Sequence, residues 1–224
     1  MKITRTVVAG AALALLAAAS WQPTATAEVP EQVSAELWAV PTAPAETFSL
    51  IIAYSFGNRL PEGVDPARTV GEPGPVNEAL ADAVMAARGD RDIPVYAQTE
   101  IAEVLRARYG LADVVAIAPD RTPDGTLVYL STDGVAARVA GLRGAVAPTD
   151  VAGVVAFHDH LWRATRTTAA NGFRAYAPQG VAMPDRYDPQ SGQPWTTSPV
   201  LYLPTDYAGR LRLLLNGAAA QGGH

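Results

Sequence analysis

The sequence predicts a single α/β domain, a doubly wound three-layer sandwich with a mainly parallel, Rossmann-like sheet of about five strands. The first observation is the alternation of short apolar runs with longer amphipathic segments along the chain, which is the order of strands and helices in such folds. The second is that the runs at residues 48–56 and 151–158 are apolar almost throughout. Strands of that composition are covered by helices on both faces, as in parallel sheets with helical crossovers.

The first half of the predicted domain contains two strand–helix pairs. Residues 48–56 are rich in β-branched and aromatic side chains and are followed by a glycine, which is typical of a buried strand. Residues 75–88 begin with proline and carry apolar side chains every four positions, which predicts a helix. A short strand over 93–98 leads into an amphipathic helix over 99–110, with Thr99 as its N-cap and a glycine at its end.

The second half continues the alternation. Residues 113–119 and 127–132 are strand-like and are separated by a turn rich in Pro, Asp and Gly. A helix over 133–144, capped by Asp133, precedes the strand at 151–158.

Three elements complete the domain. A helix is predicted from about Leu161 to Ala170, where Asn-Gly closes it. A short strand follows at 174–178, and an amphipathic helix at 205–217 ends the pattern.

The N-terminal residues have the pattern of a secretory signal peptide. Lys2 and Arg5 form a basic start, residues 7–19 are apolar, and Ala25-Thr26-Ala27 supplies a small–x–small cleavage site. The apolar run is shorter than the roughly 20 residues that span a bilayer. We therefore expect cleavage after Ala27, a secreted or extracytoplasmic location, and no integral membrane segment in the mature chain. The predicted organisation is a signal peptide (1–27), a Pro/Ala-rich lead (28–46), one α/β domain (47–217) and a disordered tail (218–224).

The composition excludes several kinds of chemistry. The chain has no cysteine, and its only lysine, Lys2, lies in the predicted signal peptide. Lysine-based, thiol-based and cysteine-ligated zinc chemistry are therefore excluded in the mature chain. Its 15 basic residues stand against 22 acidic ones, a formal charge of −7, which argues against nucleic acid as a partner.

Polar side chains follow four of the predicted strands, at residues 55–59, 98–100, 131–133 and 158–160. In an open parallel sheet, ligands bind outside the carboxyl ends of the strands. The helices that follow direct their N-termini, which attract anions, toward the same edge. The sequence therefore predicts a ligand site built from these four junctions.

Two long irregular segments, residues 59–74 and 179–204, also follow strand ends. Loops of this length in a compact domain are usually functional or disordered. The second carries three large aromatic side chains, Tyr187, Trp195 and Tyr202. We expect walls or lids of a pocket, with mobile surface loops as the alternative.

Four short motifs carry a resemblance to a known family. The sequence His-x-x-Arg-Ala at 160–164 joins a predicted strand to a helix. It follows "SFGNRLPEG" (55–63) and "VNEALADAV" (76–84), and "GRLRLLL" (209–215) comes after it. The order of these motifs resembles that of the SanA, YdcF and ElyC family of bacterial envelope proteins, also described as domain of unknown function 218. The resemblance extends over residues 48–216.

The resemblance implies a doubly wound α/β fold and a role in envelope biogenesis or barrier function. It also suggests handling of polyprenyl-linked cell-wall intermediates. S-adenosylmethionine, proposed for a cytoplasmic-type member, is not expected for an exported chain, and no cofactor is predicted. The sequence departs from many members at Ala97-Gln98-Thr99-Glu100, where they have Ser-Gly-Gly, and it lacks the anchoring helix of several relatives.

Two residues are the candidates for catalysis. His160 lies in the first turn of a predicted helix, where it could act as general acid or base near pH 7. Glu100 is a candidate base or acceptor for a sugar hydroxyl. The alternatives are a capping histidine and a glutamate favoured only by the helix dipole.

The remaining candidates bind substrate. Arg163 lies three residues after His160, on the same helix face, and could hold an anionic group, although it could also pair with a carboxylate such as Asp159. Arg59 follows a glycine in what resembles an anion-binding turn, and the alternative is a surface arginine. The full predicted substrate-binding set is Gly57, Asn58, Arg59, Gln98, Thr132 and Arg163.

A metal site is not predicted. His158 and His160 could bind a metal jointly only if the strand continued through both, and Glu100 or Asp133 would then have to complete the ligand set. Ser131 is read as a cap because no nucleophile-elbow motif surrounds it.

The sequence therefore favours an envelope enzyme that acts on an anionic, phosphate-bearing glycan or lipid-linked cell-wall intermediate by His/Glu acid–base chemistry. The alternative is a non-catalytic binding or scaffold protein on the same fold. For the enzyme, we expect the His160 ring to face a cleft and to approach Glu100 or Arg59. For the binding protein, we expect a His160 ring satisfied by backbone groups.

Overall fold

The computed structural model describes residues 38–221 and confirms the predicted fold class. It contains a parallel six-stranded sheet flanked by helices, as in a Rossmann-like three-layer sandwich. The predicted signal peptide, the segment 28–37 and residues 222–224 lie outside the described residues. Within residues 38–221, none of the helices combines the length and apolar character needed to cross a membrane.

The main sheet has the strand order β1-β8-β7-β2-β3-β4, and every pairing in it is parallel. Its strands are β1 (Thr42–Ala43), β2 (Leu50–Ala53), β3 (Val95–Gln98), β4 (Val115–Ile117), β7 (Val151–Val155) and β8 (Arg174–Pro178). The chain runs outward from β2 to β4 and then returns to β7 on the other side of β2. The strand order therefore reverses between β2 and β7, and a ligand crevice is expected at this point in a doubly wound fold.

Five helices connect and cover the strands. They are α1 (Gly74–Arg88), α2 (Thr99–Tyr109), α3 (Thr132–Arg143), α4 (His158–Ala170) and α5 (Pro199–Gln221). Short 3-10 helices occupy Ala45–Thr47, Gly144–Thr149 and Pro194–Thr196. α5 packs against α4 and against the last of these 3-10 helices.

Alternate residues of the central strand β2 face two different hydrophobic clusters. Ile51 and Ala53 pack with α1 and α2 on one face of the sheet. Leu50 and Ile52 pack with α3 and α4 on the other. All four side chains are fully buried, which is why the strand is apolar at every position.

The segment 127–132 differs from its prediction as a strand of the main sheet. Only β6 (Leu127–Val128) is extended, and it pairs antiparallel with β5 (Asp120–Arg121) in a separate two-stranded ribbon. The residues after β6 run directly into α3. A β-branched and aromatic run of this kind can form a local hairpin as readily as a sheet strand, because the local pattern does not specify the partner.

Several element ends also differ from the predictions. α4 begins at His158 rather than near Leu161, so both histidines lie in the helix. The N-cap of α3 is Ser131, whose hydroxyl accepts the backbone N–H of Gly134, and not Asp133. The N-cap of α2 is Gln98 rather than Thr99, with no capping bond from its side chain, while the glycine stop predicted for this helix is confirmed.

At both ends, the domain is longer in the structure than the sequence predicts. β1 lies inside the segment predicted as a Pro/Ala-rich lead, and it adds an edge strand beside β8. α5 begins before the helix predicted at 205–217 and runs to Gln221, into the segment predicted as a tail.

Candidate functional site

A cavity of about 410 Å³ opens at the switch point of the sheet. Its floor comes from the carboxyl ends of β2 and β3, and its sides from the first turns of α3 and α4 and the 3-10 helix Pro194–Thr196. Polar and aromatic groups dominate its lining. The lining residues are Tyr54, Ser55, Phe56, Gln98, Tyr129, Leu130, Ser131, Thr132, His160, Arg163, Gln193, Trp195, Thr196 and Tyr202. We call this the main cavity.

His160 borders the main cavity and is hydrogen-bonded through both ring nitrogens. Its Nδ1 lies 2.6 Å from the Tyr202 hydroxyl and 2.9 Å from an Arg163 guanidinium nitrogen. Its Nε2 lies 3.4 Å from the Thr132 hydroxyl. These partners are side chains rather than backbone groups, and neither Glu100 nor Arg59 is among them.

The network determines where the His160 proton lies. Because guanidinium N–H groups can only donate, Nδ1 must accept, and a neutral ring then carries its proton on Nε2. Burial lowers the pKa of His160 well below its ordinary value of 6.5, and the positive charges of Arg163 and Arg210 lower it further. At neutral pH the ring is therefore an uncharged hydrogen-bond donor from Nε2.

His160 is expected to make the fold sensitive to acid. The folded ring stays neutral well below pH 6.5, whereas the unfolded chain takes up a proton near its ordinary pKa. Below pH 6.5 the unfolded state therefore binds more protons than the folded state. The free energy of unfolding is then at its full value above this pH and falls below it, by up to about 1.4 kcal/mol per pH unit. Urea unfolding at about pH 7.5 and about pH 5 should show this fall in the wild type and lose it in His160→Gln. An equal fall in the free energy of unfolding of both proteins would mean that folding does not lower the pKa of His160.

A buried carboxylate holds the arginine of the site in place. Asp206 is fully buried, and its Oδ1 accepts the Nε of Arg163 at 2.7 Å. Its Oδ2 accepts the Nε of Arg210 at 2.6 Å. Two guanidinium groups therefore share one carboxylate beside a neutral imidazole. We call Asp206, Arg163, Arg210, Tyr202 and His160 the Asp206 cluster.

Arg163 and Thr132 each keep one donor for a ligand. The guanidinium of Arg163 has five N–H groups, and four are used by Asp206, Thr132, His160 and Tyr202. Among the described residues, the second N–H of NH1 has no partner. The Thr132 hydroxyl accepts the Arg163 NH1 at 2.7 Å and lies near the His160 Nε2–H, so its own proton is left to donate.

A glycine permits this arrangement. Gly209 of α5 lies against the Arg163 side chain, and a Cβ at this position would come within 2.7 Å of the Arg163 Cδ. Any larger residue would push the guanidinium away from Asp206. The close approach of helix backbone and arginine explains a glycine inside α5.

Glu100 lies beneath the floor of the main cavity and is only 1% exposed. Burial raises its pKa above the ordinary value, although hydrogen bonds from its own backbone and from Ser55 and Asn58 act in the opposite direction. Its Oε1 has no hydrogen-bond partner among the described residues. Ser55 and Tyr129, which border the cavity, are its neighbours, while Glu100 itself is not among the lining residues.

The structure brings four of the predicted site residues together. Gln98, Thr132, His160 and Arg163 all border the main cavity. The Gln98 side chain also accepts the backbone N–H of Ser55 at 3.0 Å, which links the ends of β3 and β2.

Three predicted substrate-binding residues lie outside the cavity and support its wall. Asn58 is buried and donates to the Tyr129 hydroxyl at 3.1 Å. Gly57 has a φ of +70°, and a Cβ there would lie 2.5 Å from the Ser191 hydroxyl. Arg59 forms a bidentate ion pair with Asp188, at 2.8 and 2.9 Å. This pair fastens the segment after β2 to the long loop after β8 and directs Arg59 away from the cavity.

The two long loops are placed differently. The second, residues 179–204, supplies Gln193, Trp195, Thr196 and Tyr202 to the main cavity, as expected for a wall. The first, residues 59–74, does not border it. It packs instead on the β5–β6 ribbon, where the Leu127 N–H donates to the Ala67 carbonyl, and this supports the approach of Tyr129 to the cavity.

Sequence analysis missed the partners that α5 contributes. Tyr202, Asp206 and Arg210 recur every four residues, so they lie on one face of α5, toward α4. The signal was present as a polar stripe in a helix that is otherwise rich in leucine. Tyr202 was assigned to the preceding loop because α5 begins earlier than its apolar pattern suggests.

The two histidines point to different environments. The His158 side chain is 67% exposed and lies 3.2 Å from Asp159, while His160 is buried in the Asp206 cluster. Two positions apart on a helix, they cannot bind one metal ion jointly. Within residues 38–221, no group of three or more His, Cys, Asp or Glu side chains is arranged to hold a metal.

Comparison of the chain with protein-family models, with curated proteins and with solved structures yields no match. The resemblance to the SanA, YdcF and ElyC family therefore stays a prediction from the motifs of the sequence.

Proposed function

We propose that this chain is an exported, envelope-associated enzyme that acts on an anionic, phosphate-bearing glycan or lipid-linked cell-wall intermediate. The observation that carries the proposal is the Arg163 guanidinium, which borders the main cavity and keeps one N–H without a partner among the described residues. A guanidinium N–H without a protein partner at a cavity wall favours an anionic ligand, because the hydrogen bond between them is charge-assisted. The signal-peptide pattern and the family resemblance support the export and envelope parts of the proposal.

The phosphate is assigned to the junction of α3 and α4. There it would meet the unused N–H of Arg163 and the hydroxyl proton of Thr132. The first backbone N–H groups of α3 lie at the same place, and the helix dipole favours negative charge at this end. Charge-assisted bonds of this kind are about twice as strong as neutral ones.

The opposite side of the cavity suits a sugar. Trp195 borders the cavity and remains 54% exposed, which leaves its ring available for stacking. Tyr129 adds a second aromatic wall, and the polar groups of Ser55, Gln193 and Thr196 can exchange hydrogen bonds with sugar hydroxyls.

Acid–base chemistry is assigned to Glu100 with His160 in support. A carboxyl with a raised pKa holds a proton closer to neutral pH and can give or take it in a reaction. His160 is neutral, so its Nε2–H can polarise a bond or stabilise developing negative charge without itself carrying charge.

The proposal is tested by binding of N-acetylglucosamine 1-phosphate to Arg163→Ala. Loss of one charge-assisted contact of roughly 1.5 to 3 kcal/mol should weaken binding about tenfold to a hundredfold in titration calorimetry. The loss should shrink in high salt. Arg59→Ala is the matched control, because Arg59 is paired with Asp188 outside the cavity. Unchanged binding in Arg163→Ala, or failure of the wild type to bind, would remove the proposed anion site.

A binding protein without turnover is the second candidate function. It is favoured by the engagement of both His160 nitrogens and by the low pKa of the ring, since such a group is poorly suited to proton transfer near pH 7. The two candidates predict the same affinity losses and differ only in turnover.

A further inference from the structure

A second cavity adjoins the main cavity at Arg163. It has a volume of about 500 Å³ and lies among α3, α4 and α5. It shares Ser131, Thr132 and Arg163 with the main cavity. Its further lining residues are Asp133, Thr167, Gly209, Arg212, Leu213 and Asn216. The guanidinium assigned to the phosphate therefore stands between two cavities rather than at the end of one.

Thr167 presents an unused hydroxyl to the second cavity. The residue is only 4% exposed, yet within residues 38–221 no group hydrogen-bonds its Oγ1. Its neighbours on α4 behave differently, because Thr165 and Thr168 donate back to the carbonyls one turn earlier, both at 2.8 Å. The hydroxyl therefore remains available to a polar group bound in the second cavity.

Two side chains of α5 add further unused donors. Arg212 and Asn216 lie one turn apart on the cavity side of the helix. Both residues are exposed, and neither forms a hydrogen bond or an ion pair within the described part of the chain, so their donors are free to reach a ligand. The carboxylate of Asp133 also borders this cavity, and the Asn171 amide donates to it at 3.0 Å. The second cavity therefore offers donors from Arg212, Asn216 and Thr167, with one carboxylate as an acceptor for hydroxyls.

We infer that the ligand is a phosphodiester or diphosphate with a substituent on each side, and that it occupies both cavities. The phosphate lies at Arg163, the sugar lies in the main cavity toward Trp195, and the second substituent extends toward Arg212 and Thr167. This deepens the proposed function and rests on its anion site. A terminal phosphate monoester would occupy only the main cavity and would make no contact with the donors of the second cavity.

Two probes separate a one-sided from a two-sided ligand. N-acetylglucosamine 1-phosphate has a sugar on one side of its phosphate. UDP-N-acetylglucosamine has the same sugar and a similar net charge, with a nucleoside on the other side. We expect the wild type to bind the two-sided probe at least about tenfold more tightly, since it gains contacts in the second cavity.

Two variants test the second cavity directly. Thr167→Val should weaken binding of UDP-N-acetylglucosamine about three- to tenfold, and Arg212→Ala about tenfold or more. Both should leave binding of N-acetylglucosamine 1-phosphate unchanged. Arg186→Ala is the matched control, because Arg186 is likewise exposed and lies outside both cavities.

Thermal unfolding guards against a merely structural effect of Thr167→Val. The hydroxyl of Thr167 makes no hydrogen bond in the protein, so the variant should have a Tm at or above that of the wild type. Thr165→Val removes a bond to the Leu161 carbonyl and should lower the Tm. A stable Thr167→Val with weaker binding of the two-sided probe is therefore the expected combination.

The outcomes distinguish this inference from the proposed function. If both probes bind equally, or if Thr167→Val and Arg212→Ala leave UDP-N-acetylglucosamine unaffected, the two-sided ligand is wrong. The anion site still stands in that case, provided that Arg163→Ala weakens both probes. If neither probe binds, or Arg163→Ala affects neither, both proposals fall.

Discussion

Replacing Asp206 by alanine is expected to lower the free energy of unfolding by about 3 to 5 kcal/mol, the range for removing one partner of a buried ion pair. The carboxylate is fully buried and accepts one guanidinium on each oxygen. Its removal takes away the carboxylate between the guanidinium groups of Arg163 and Arg210, and Arg163 then has no carboxylate partner among the described residues. Urea unfolding followed by circular dichroism measures the change.

The control is an aspartate in an exposed ion pair. Asp82 pairs with Arg108 at 3.1 Å and accepts the Tyr109 hydroxyl at 2.6 Å, and the side chains of Asp82 and Arg108 are about half exposed. Asp82→Ala should change stability by about 1 kcal/mol or less. Asp206→Asn separates charge from shape, because the amide nearly preserves the packing. Stability close to wild type in Asp206→Asn would show that the carboxylate charge does not hold the cluster together.

Replacing Glu100 by glutamine is expected to reduce turnover by about 10² or more while the affinity for substrate stays nearly the same. Glutamine keeps the size of the side chain beneath Ser55 and Tyr129 but cannot transfer a proton. Chromatographic detection of products from UDP-N-acetylglucosamine, with calorimetry of the same proteins, separates turnover from binding.

His160→Gln tests how the histidine takes part. A glutamine amide can accept from Arg163 and donate into the cavity, as the neutral imidazole does. If His160 acts only as a neutral donor, turnover in His160→Gln should fall less than in Glu100→Gln. A loss of 10² or more would instead mean that His160 transfers a proton. Binding that Arg163→Ala weakens, with no turnover in the wild type, would favour the binding protein and contradict the enzyme.

The order of strands and helices could be predicted from the sequence because the burial of each element determines the spacing of its own apolar residues. β2 and β7 are apolar at successive positions since helices cover both faces of the sheet. That pattern was sufficient to predict a parallel sheet and the crevice at the carboxyl ends of its strands. It failed at 127–132, because the pattern of a short strand does not specify which strand it pairs with.

Four of the eight site residues predicted from the sequence border the main cavity. Gln98, His160 and Arg163 meet because the parallel strands β3 and β7 end at one edge of the sheet, whereas Thr132 follows the β5–β6 ribbon and reaches the cavity at the start of α3. Arg59 satisfies the same rule, but Asp188, which is distant in sequence, turns it away from the cavity. A local sequence pattern can predict that a residue lies at an edge of the sheet, but it does not predict which distant residue will pair with it.

The sequence by itself determined the fold class, the edge of the sheet where ligands are expected, and the absence of lysine and thiol chemistry from the chain after Lys2. Only the tertiary structure decided the charge and protonation of the site. Asp206 contacts Arg163 across 43 positions of sequence, and the neutrality of His160 comes from its burial beside two guanidinium groups. Those properties depend on which groups are excluded from water together, and this is settled only when α5 packs against α4.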